Sequence, residues 1–257
     1  MAEPILQIRG LARSFGAFRA VDGVTLDIRR GSITGLIGPN GAGKTTLFNL
    51  LTGSLKPDAG RVLLGGRDVT GLPPDRLFAL GLARSFQIPR PFPRMSVLEN
   101  VMTAPMDQAG ERLWGPILFP GRVRAQERAI RARAMEVLDF VTLADLADHP
   151  AGKISGGQMK LLELARVLMG DPKLILLDEP AAGVNPVLAQ TLIARIETLN
   201  RQGKTFVIIE HNMDFVMRHC DPVVALAQGR IVFQGTATEA QTSPVLLDAY
   251  LGAAADG

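Results

Sequence analysis

A glycine-rich stretch early in the chain has the residue types and spacing of a phosphate-binding loop. It follows the pattern G-x-x-x-x-G-K-[ST] with one further threonine, and its members are Gly38, Pro39, Asn40, Gly41, Ala42, Gly43, Lys44, Thr45 and Thr46. The glycines let backbone N–H groups turn toward phosphate oxygens, Lys44 would reach the β- and γ-phosphates, and Thr45 would ligate Mg²⁺. The stretch therefore predicts a nucleotide site that includes a magnesium ion.

Two acidic residues follow an apolar segment later in the chain. Asp178 and Glu179 come directly after Leu174–Leu177, which is apolar at every position, as expected of a parallel strand covered on both faces. Ligands of α/β proteins bind beyond the carboxyl ends of such strands. Because phosphoryl transfer needs both a Mg²⁺ shell and an oriented water, we expect Asp178 to hold the ion and Glu179 to polarise the water.

A serine and two glycines precede a further helical run, Met159–Met169. With the glutamine that follows them, they are Ser155, Gly156, Gly157 and Gln158. The spacing Ser-x-x-Gln is that of a capping box, which starts a helix without binding any ligand. Two consecutive glycines also permit an anion to approach a helix N-terminus closely. The chain then has two phosphate-binding helix starts, and one nucleotide does not need both of them from the same subunit.

Alternating strands and helices must position these residues. The clearest predicted strands are Ser32–Ile37, Leu174–Leu177 and Thr205–Ile209, and the helices predicted to follow them are Lys44–Leu51, Pro186–Leu199 and Asn212–His219. This repeat predicts an α/β fold with a mostly parallel, RecA-like sheet that carries the phosphate loop. Antiparallel strands at the margin of the sheet are predicted at Val24–Ile28, Val62–Leu64, Val223–Ala227 and Ile231–Phe233.

A proline-rich segment interrupts this α/β pattern. Prolines crowd between Ile88 and Gly121 and exclude long regular elements there, and a helix with one apolar face is predicted over Val123–Val141. The arginines at 122–133 are expected to face solvent rather than a membrane or nucleic acid. We expect residues 1–87 and 171–235 to form the nucleotide-binding core with its antiparallel margin, residues 88–170 a mostly helical insertion that carries Ser155, and residues 236–257 a C-terminal tail.

Composition narrows the class of protein. Lys and Arg exceed Asp and Glu by 28 to 25, a net charge of +3, and aromatic residues make up 5%, which gives no argument for nucleic-acid binding. A single cysteine excludes a disulfide framework within the chain, and no apolar run approaches the roughly 18 residues of a membrane span. Glu3 and Arg9 lie where a signal peptide would need an unbroken apolar stretch. We therefore expect a cytoplasmic protein.

The motifs, taken in order, resemble those of the ATP-binding cassette (ABC) subunits of membrane transporters. The resemblance rests on the phosphate loop, ISGGQ at Ile154–Gln158, LLDEP ending at Pro180 and a later lone histidine, and it covers nearly the whole chain. More particular segments are similar to those of ATPases from importers of branched-chain and other hydrophobic amino acids. They are ARSFQ (Ala83–Gln87), EPAAGVNP (Glu179–Pro186), IIEHNM (Ile208–Met213) and the final DAYLG.

The resemblance implies roles for further residues. His211 would contact the γ-phosphate, and Gln87 would touch Mg²⁺ or the water and report the nucleotide state to membrane subunits. Phe15 would stack on adenine, although Phe18 is a second candidate. Asn185 stands where the family usually has aspartate, and with the proline that follows it suits a helix cap. The substitution puts in doubt any salt bridge between subunits at that position.

The resemblance also implies a function and partners. Two such ATPases, identical or merely similar, would form a head-to-tail dimer in which Ser155–Gln158 of one subunit completes the ATP site of the other. The chain would hydrolyse ATP with Mg²⁺ and drive uptake of a small solute, with branched-chain or other hydrophobic amino acids as the best candidates, through separate permease subunits. These permeases would hold the chain on the inner face of the cell membrane, and a solute-binding protein would be a further possible partner. The alternative is a non-transport cassette ATPase acting on nucleic acid or ribosomes. That class usually carries two cassettes or a long coiled coil, so one cassette without heptads favours transport.

Overall fold

The computed structural model describes residues 3–85, 91–105, 108 and 119–246, so that Gln87 lies outside the described residues. These residues divide into two compact units. The first contains residues 3–84, 173–180 and 197–246, and the second contains residues 85, 91–105, 108, 119–172 and 181–196. The domain boundaries expected from the sequence stay a prediction.

Ten strands are present in the described residues. They are β1 Pro4–Phe15, β2 Phe18–Arg29, β3 Ile33–Ile37, β4 Ala59–Leu64, β5 Arg67–Asp68, β6 Leu82–Arg84, β7 Leu174–Asp178, β8 Thr205–Ile209, β9 Val223–Ala227 and β10 Arg230–Gly235. The helices are α1 Lys44–Leu51, α2 Pro74–Ala79, α3 Val97–Met102, α4 Pro120–Phe140, α5 Gly156–Leu168, α6 Pro186–Arg201, α7 Met213–His219 and α8 Ala237–Gln241, with short 3₁₀ helices at Ala144–Leu146 and Ala151–Lys153.

The predicted parallel sheet is confirmed in the first unit. Its six strands are ordered β10-β9-β3-β8-β7-β6, and every neighbouring pair is parallel except β10 with β9. Every residue of β3, β7 and β8 is buried, which explains why these segments lack the apolar-polar alternation of a strand with one solvated face. The carboxyl ends of β3, β7 and β8 therefore meet at one edge of the sheet.

Some predicted marginal strands belong to a sheet of their own. β2, β1, β4 and β5 form a separate antiparallel sheet, so the prediction that Val24–Ile28 and Val62–Leu64 flank the parallel sheet is wrong. The reason is β1, which pairs with both β2 and β4 and was not predicted as a strand. The predicted hairpin of β9 and β10 does lie at the margin of the parallel sheet, with β9 parallel to β3.

Helix α1 connects the two sheets of the first unit through a shared core. Leu47 and Phe48 of α1 are buried in one apolar cluster with Ile8 of the antiparallel sheet and Leu36 and Leu176 of the parallel sheet. Burial of such side chains contributes roughly 1.5–3 kcal/mol each. Because α1 begins directly at the end of the glycine-rich loop, this packing fixes the position of the loop.

The second unit is mostly helical. Helix α4 begins at Pro120, earlier than the predicted start at Val123, because proline suits the first turn of a helix. Its buried face includes Ala134, Val137 and Leu138, as predicted. The arginines of this segment are exposed, which confirms the predicted solvated face; they are Arg122, Arg124, Arg128, Arg131 and Arg133. Within the described ranges, no helix has the length and apolar character needed to cross a membrane.

Candidate functional site

The glycine-rich loop joins the end of β3 to the start of α1, and two of its glycines allow close backbone contacts. A Cβ atom at Gly38 would lie 2.1 Å from the carbonyl oxygen of Leu226, and one at Gly43 would lie 2.2 Å from that of Ala20. Both glycines have positive φ angles, 145° and 98°. Since no side chain fits at these points, the loop is held in one shape by its surroundings, as a backbone cradle for phosphate requires.

Lys44 is folded into this loop. Its ammonium group donates hydrogen bonds to the carbonyl oxygens of Gly38 (2.6 Å) and Pro39 (2.8 Å), and the residue is 6% exposed. Burial lowers the pKa of Lys44, while the carboxylates of Glu179 and Asp178 oppose that shift. The loop, the lysine and the two acids therefore form one electrostatically coupled site.

The neighbouring strands β7 and β8 bring Glu179 and His211 together. Asp178, the last residue of β7, is paired in register with Ile209, the last residue of β8, and the Glu179 amide donates to the Ile209 carbonyl at 2.9 Å. Glu179 Oε1 lies 2.7 Å from His211 Nε2. Glu179 also has a positive φ of 48°, a strained conformation for a residue other than glycine and one that is common at functional sites.

Asp178 has a partner that the sequence analysis missed. Nη2 of Arg84 lies 2.9 Å from Asp178 Oδ2, and Nη1 donates to Oδ1 of Asn49 on α1. The signal was present in the sequence, since Arg84 is a charged residue inside the ARSFQ segment, from which only Gln87 was selected. The structure thus adds Arg84 and Asn49 to the surroundings of the predicted Mg²⁺ residue.

The chemistry of the donors fits a magnesium ion. Thr45 in the first turn of α1 offers a hydroxyl, and Asp178 offers a carboxylate, which are the oxygen donors that Mg²⁺ prefers. Among the described residues, no group of three or more His, Cys, Asp or Glu side chains could hold a metal by itself. Mg²⁺ bound with nucleotides takes one or two protein ligands together with phosphates and waters, so a larger cluster is not needed.

In the second unit, Ser155 caps helix α5. The Gln158 amide donates to Ser155 Oγ at 3.3 Å, and the Ser155 amide donates to Gln158 Oε1 at 2.8 Å, so the predicted capping box is confirmed. The two glycines differ. A Cβ at Gly157 would lie 2.6 Å from Leu188 Cδ1, whereas one at Gly156 would meet no atom of the described residues outside its own helix and neighbours within 4 Å. Packing against Leu188 therefore explains why residue 157 is glycine, but packing does not explain the glycine at 156.

The two candidate adenine-stacking residues face each other across the β1–β2 hairpin. Phe15 is 47% exposed and Phe18 is 62% exposed. Of the two, Phe15 makes a cation–π contact, with the Arg13 guanidinium 5.3 Å from its ring centroid. Arg13 is in turn held by Asp58 at 2.7 Å. A hydrogen bond from the Ser14 backbone, followed by the charge of Arg13, lowers the pKa of Asp58.

Comparison with known proteins decides the family. The family profile described as ABC transporter matches residues 21–182. The chain belongs to this family. It is 41% identical over 249 residues to the probable branched-chain amino acid transport ATP-binding protein LivG of Archaeoglobus fulgidus, covering 97% of this chain and 96% of that protein. It is 38% identical to the high-affinity branched-chain amino acid transport ATP-binding protein LivG of Escherichia coli strain K12, covering 99% and 100%.

Solved structures agree with this assignment. A nucleotide-free ATP-binding cassette from an ABC transporter is 37% identical, with a TM-score of 0.81 over 96% of this chain and 98% of the other. An ATP-binding cassette of an ABC transporter in its ADP conformation is 37% identical, with a TM-score of 0.82 over 98% and 100%. The predicted fold class is confirmed, and the chain is the ATPase subunit of an ABC transporter rather than a nucleic-acid-directed ATPase.

Three further residues of this ABC ATPase lie apart from the contacts described above. Asn185 caps α6, since its Oδ1 accepts from the Leu188 amide at 2.9 Å. His149 is exposed, and His219 Nδ1 lies 2.9 Å from Glu197 Oε1. The helix cap predicted for Asn185 is therefore present.

Proposed function

We propose that this ABC ATPase drives uptake of branched-chain or other hydrophobic amino acids through separate permease subunits. The ATPase part is carried by one observation, the convergence of Lys44, Asp178, Glu179 and His211 at the loop between β3 and α1. The cargo rests on the relatives, two of which carry branched-chain amino acid transport in their names. We also propose that the chain lies on the inner face of the cell membrane through these permeases, with a solute-binding protein supplying the cargo.

In the proposed mechanism the loop and Lys44 bind the triphosphate. Backbone N–H groups of Gly41, Gly43 and the start of α1 would face phosphate oxygens. The Lys44 ammonium exchanges its hydrogen bonds to the Gly38 and Pro39 carbonyls for the β- and γ-phosphates. Phosphate oxygens form charge-assisted hydrogen bonds with an ammonium group, which are stronger than its bonds to neutral carbonyl oxygens.

Glu179 and His211 would then act on the attacking water. Glu179 accepts the hydrogen bond of the water and orients it, while the 2.7 Å contact with His211 fixes the carboxylate. His211 would also contact the γ-phosphate. Thr45 and Asp178 would hold Mg²⁺, with Gln87 as a further ligand or water contact; the ion would neutralise phosphate charge.

The remaining predicted contacts complete the nucleotide site. We propose that Phe15, not Phe18, stacks on adenine, because the Arg13–Asp58 pair fixes its ring. In a head-to-tail dimer of identical or similar ATPases, the segment Ser155–Gln158 would bind the γ-phosphate held by the other subunit. The open surroundings of Gly156 support this role, because no described residue of its own unit requires a glycine there.

The test combines hydrolysis and uptake. The chain is co-purified with co-expressed permease subunits of a branched-chain amino acid importer and reconstituted in vesicles, and uptake of labelled leucine is followed with ATP on the cytoplasmic side. Glu179→Gln should bind ATP with wild-type affinity and lose both hydrolysis and uptake, since an amide orients the water but cannot act as a base. Glu136→Gln, an exposed carboxylate on α4, is the matched control and should retain both.

Two outcomes would contradict the proposal separately. Wild-type hydrolysis by Glu179→Gln would remove Glu179 from the mechanism. Hydrolysis that the permeases stimulate, without ATP-dependent uptake of leucine, isoleucine, valine or phenylalanine, would leave the ATPase assignment standing and refute the cargo.

A further inference from the structure

We propose that Arg84 is a positioning residue of the Mg²⁺ site, which fixes the carboxylate of Asp178 relative to helix α1. The inference rests on the proposed function only in that Asp178 and Thr45 are its Mg²⁺ residues. Arg84 itself touches neither nucleotide nor metal in this scheme.

The contacts of Arg84 are internal and specific. Its side chain is 13% exposed and that of Asp178 is 3% exposed. Nη2 lies 2.9 Å from Asp178 Oδ2, and Nη1 donates to Asn49 Oδ1. The guanidinium carbon lies 5.6 Å from the ring centroid of Phe48. One planar group is therefore held by a carboxylate from β7, an amide oxygen from α1 and an aromatic ring.

The topology makes this arrangement relevant to the metal. β6 and β7 are parallel neighbours, with Arg84 opposite Leu176, so the guanidinium reaches along β7 to Asp178 at its end. Asn49 lies four residues after Thr45, so the two side chains share one face of α1. Arg84 thus connects the element that offers the carboxylate to the helix that offers the hydroxyl.

A guanidinium suits this connection better than an ammonium. Arginine presents its N–H groups in a rigid fork, and two of them engage different partners here, whereas lysine is a point charge on a flexible stem. Arg84 also ends the strand that leads to Gln87, three residues further along the chain.

A purely structural ion pair is the competing explanation, and the two differ in a measurable way. A structural role predicts that loss of Arg84 weakens ATP binding equally with and without the metal. A positioning role predicts that binding without metal is retained and that the contribution of the metal is lost, since supporting contacts of metal ligands are worth about 10–100-fold in metal affinity.

The experiment measures metal affinity directly, without turnover. In the Glu179→Gln background, ATP affinity is measured by calorimetry in EDTA, and affinity of the protein–ATP complex for Mn²⁺, a spectroscopic substitute for Mg²⁺, is measured by electron paramagnetic resonance. Arg84→Met should bind ATP in EDTA within about twofold of its parent and bind Mn²⁺ about 10–100-fold more weakly. Arg84→Lys should recover part of the loss. Arg9→Met removes an exposed arginine paired with Asp27 and should change neither value.

The remaining variants keep the proposal falsifiable. Asn49→Ala retains the Arg84–Asp178 pair and removes the contact of Arg84 with α1, so it should weaken Mn²⁺ binding by a smaller factor than Arg84→Met does. If Arg84→Met does not fold, the Mn²⁺ affinity of Asn49→Ala tests the positioning role instead. Unchanged Mn²⁺ affinity in either variant, or equal losses with and without metal, would overturn the positioning role. Absence of ATP binding by the parent itself would instead refute the proposed function.

Discussion

Replacing either of the two adjacent glycines at the start of α5 with alanine should affect a different property of the protein. A Cβ at Gly157 would lie within 2.6 Å of Leu188 Cδ1 and 3.0 Å of Val184 Cγ1, whereas one at Gly156 would face open space within the described residues. We predict that Gly157→Ala destabilises the protein. We predict that Gly156→Ala leaves stability intact and lowers ATP hydrolysis at least about tenfold, the effect of about 1.4 kcal/mol on the barrier, because the added methyl group obstructs an approaching phosphate.

The size of the stability difference follows from the contacts. Each alanine gains about 0.5–1 kcal/mol of helix propensity over glycine, and this gain cancels when the two variants are compared. Overpacking a buried position costs about 1–3 kcal/mol. The lower part of that range, about 1–2 kcal/mol, applies because the nearest atom ends a flexible leucine side chain. At about 2–4 °C per kcal/mol for a chain of this size, Gly157→Ala should melt roughly 2–8 °C below Gly156→Ala.

Circular dichroism melts and steady-state hydrolysis on the same preparations test both statements, with the wild type as reference. Equal melting temperatures for the two variants would refute the packing account of Gly157. Wild-type hydrolysis by Gly156→Ala, at an unchanged or raised melting temperature, would refute the reasoning that this glycine lets phosphate approach the helix.

Three further predictions concern other parts of the chain. Phe15→Ala should weaken ATP binding by about 1–3 kcal/mol, the usual effect of losing a stacking ring, while Phe18→Ala should change it little; equal losses by calorimetry would contradict the choice of Phe15. Burial raises the pKa of the Cys220 thiol to about 12, so the folded protein should not react with a disulfide reagent from neutral pH up to about pH 9, and urea-unfolded protein should; equal rates would contradict this. Lys44→Ala and Ser155→Arg chains should each be inactive alone, and partial ATP hydrolysis should return when the two are mixed. Differential tagging shows whether mixed dimers form. If they form and hydrolysis does not return, Ser155 is only a helix cap.

The parallel sheet and the core of the site could be predicted from the sequence because each pattern has few structural solutions. Successive apolar residues in β7 and β8 predict strands covered on both faces, and such strands are parallel in an α/β fold. Parallel neighbours end at the same edge, so residues that directly follow them lie near each other. The 2.7 Å contact between Glu179 and His211 is a consequence of that rule.

Pairing between distant segments could not be predicted in the same way. The buried residues of β1 do not alternate regularly along the strand, so β1 was not predicted as a strand and its antiparallel sheet was missed. The ion pair of Arg84 with Asp178 joins residues 94 positions apart. A lone arginine in a short apolar strand indicates that a buried partner must exist, yet only the register of β6 on β7 identifies it.

The capping box and the proposed phosphate contact of α5 are compatible. The Ser155 hydroxyl serves the amide of Gln158, and the Gln158 side chain serves the amide of Ser155. Helix geometry leaves the N–H groups of Gly156 and Gly157 without an acceptor inside the helix, and these are the groups that an anion at a helix N-terminus binds. The cap orders the first turn of the helix and leaves these two N–H groups free of intrahelical acceptors, so a complete cap is compatible with the proposed nucleotide site shared between subunits.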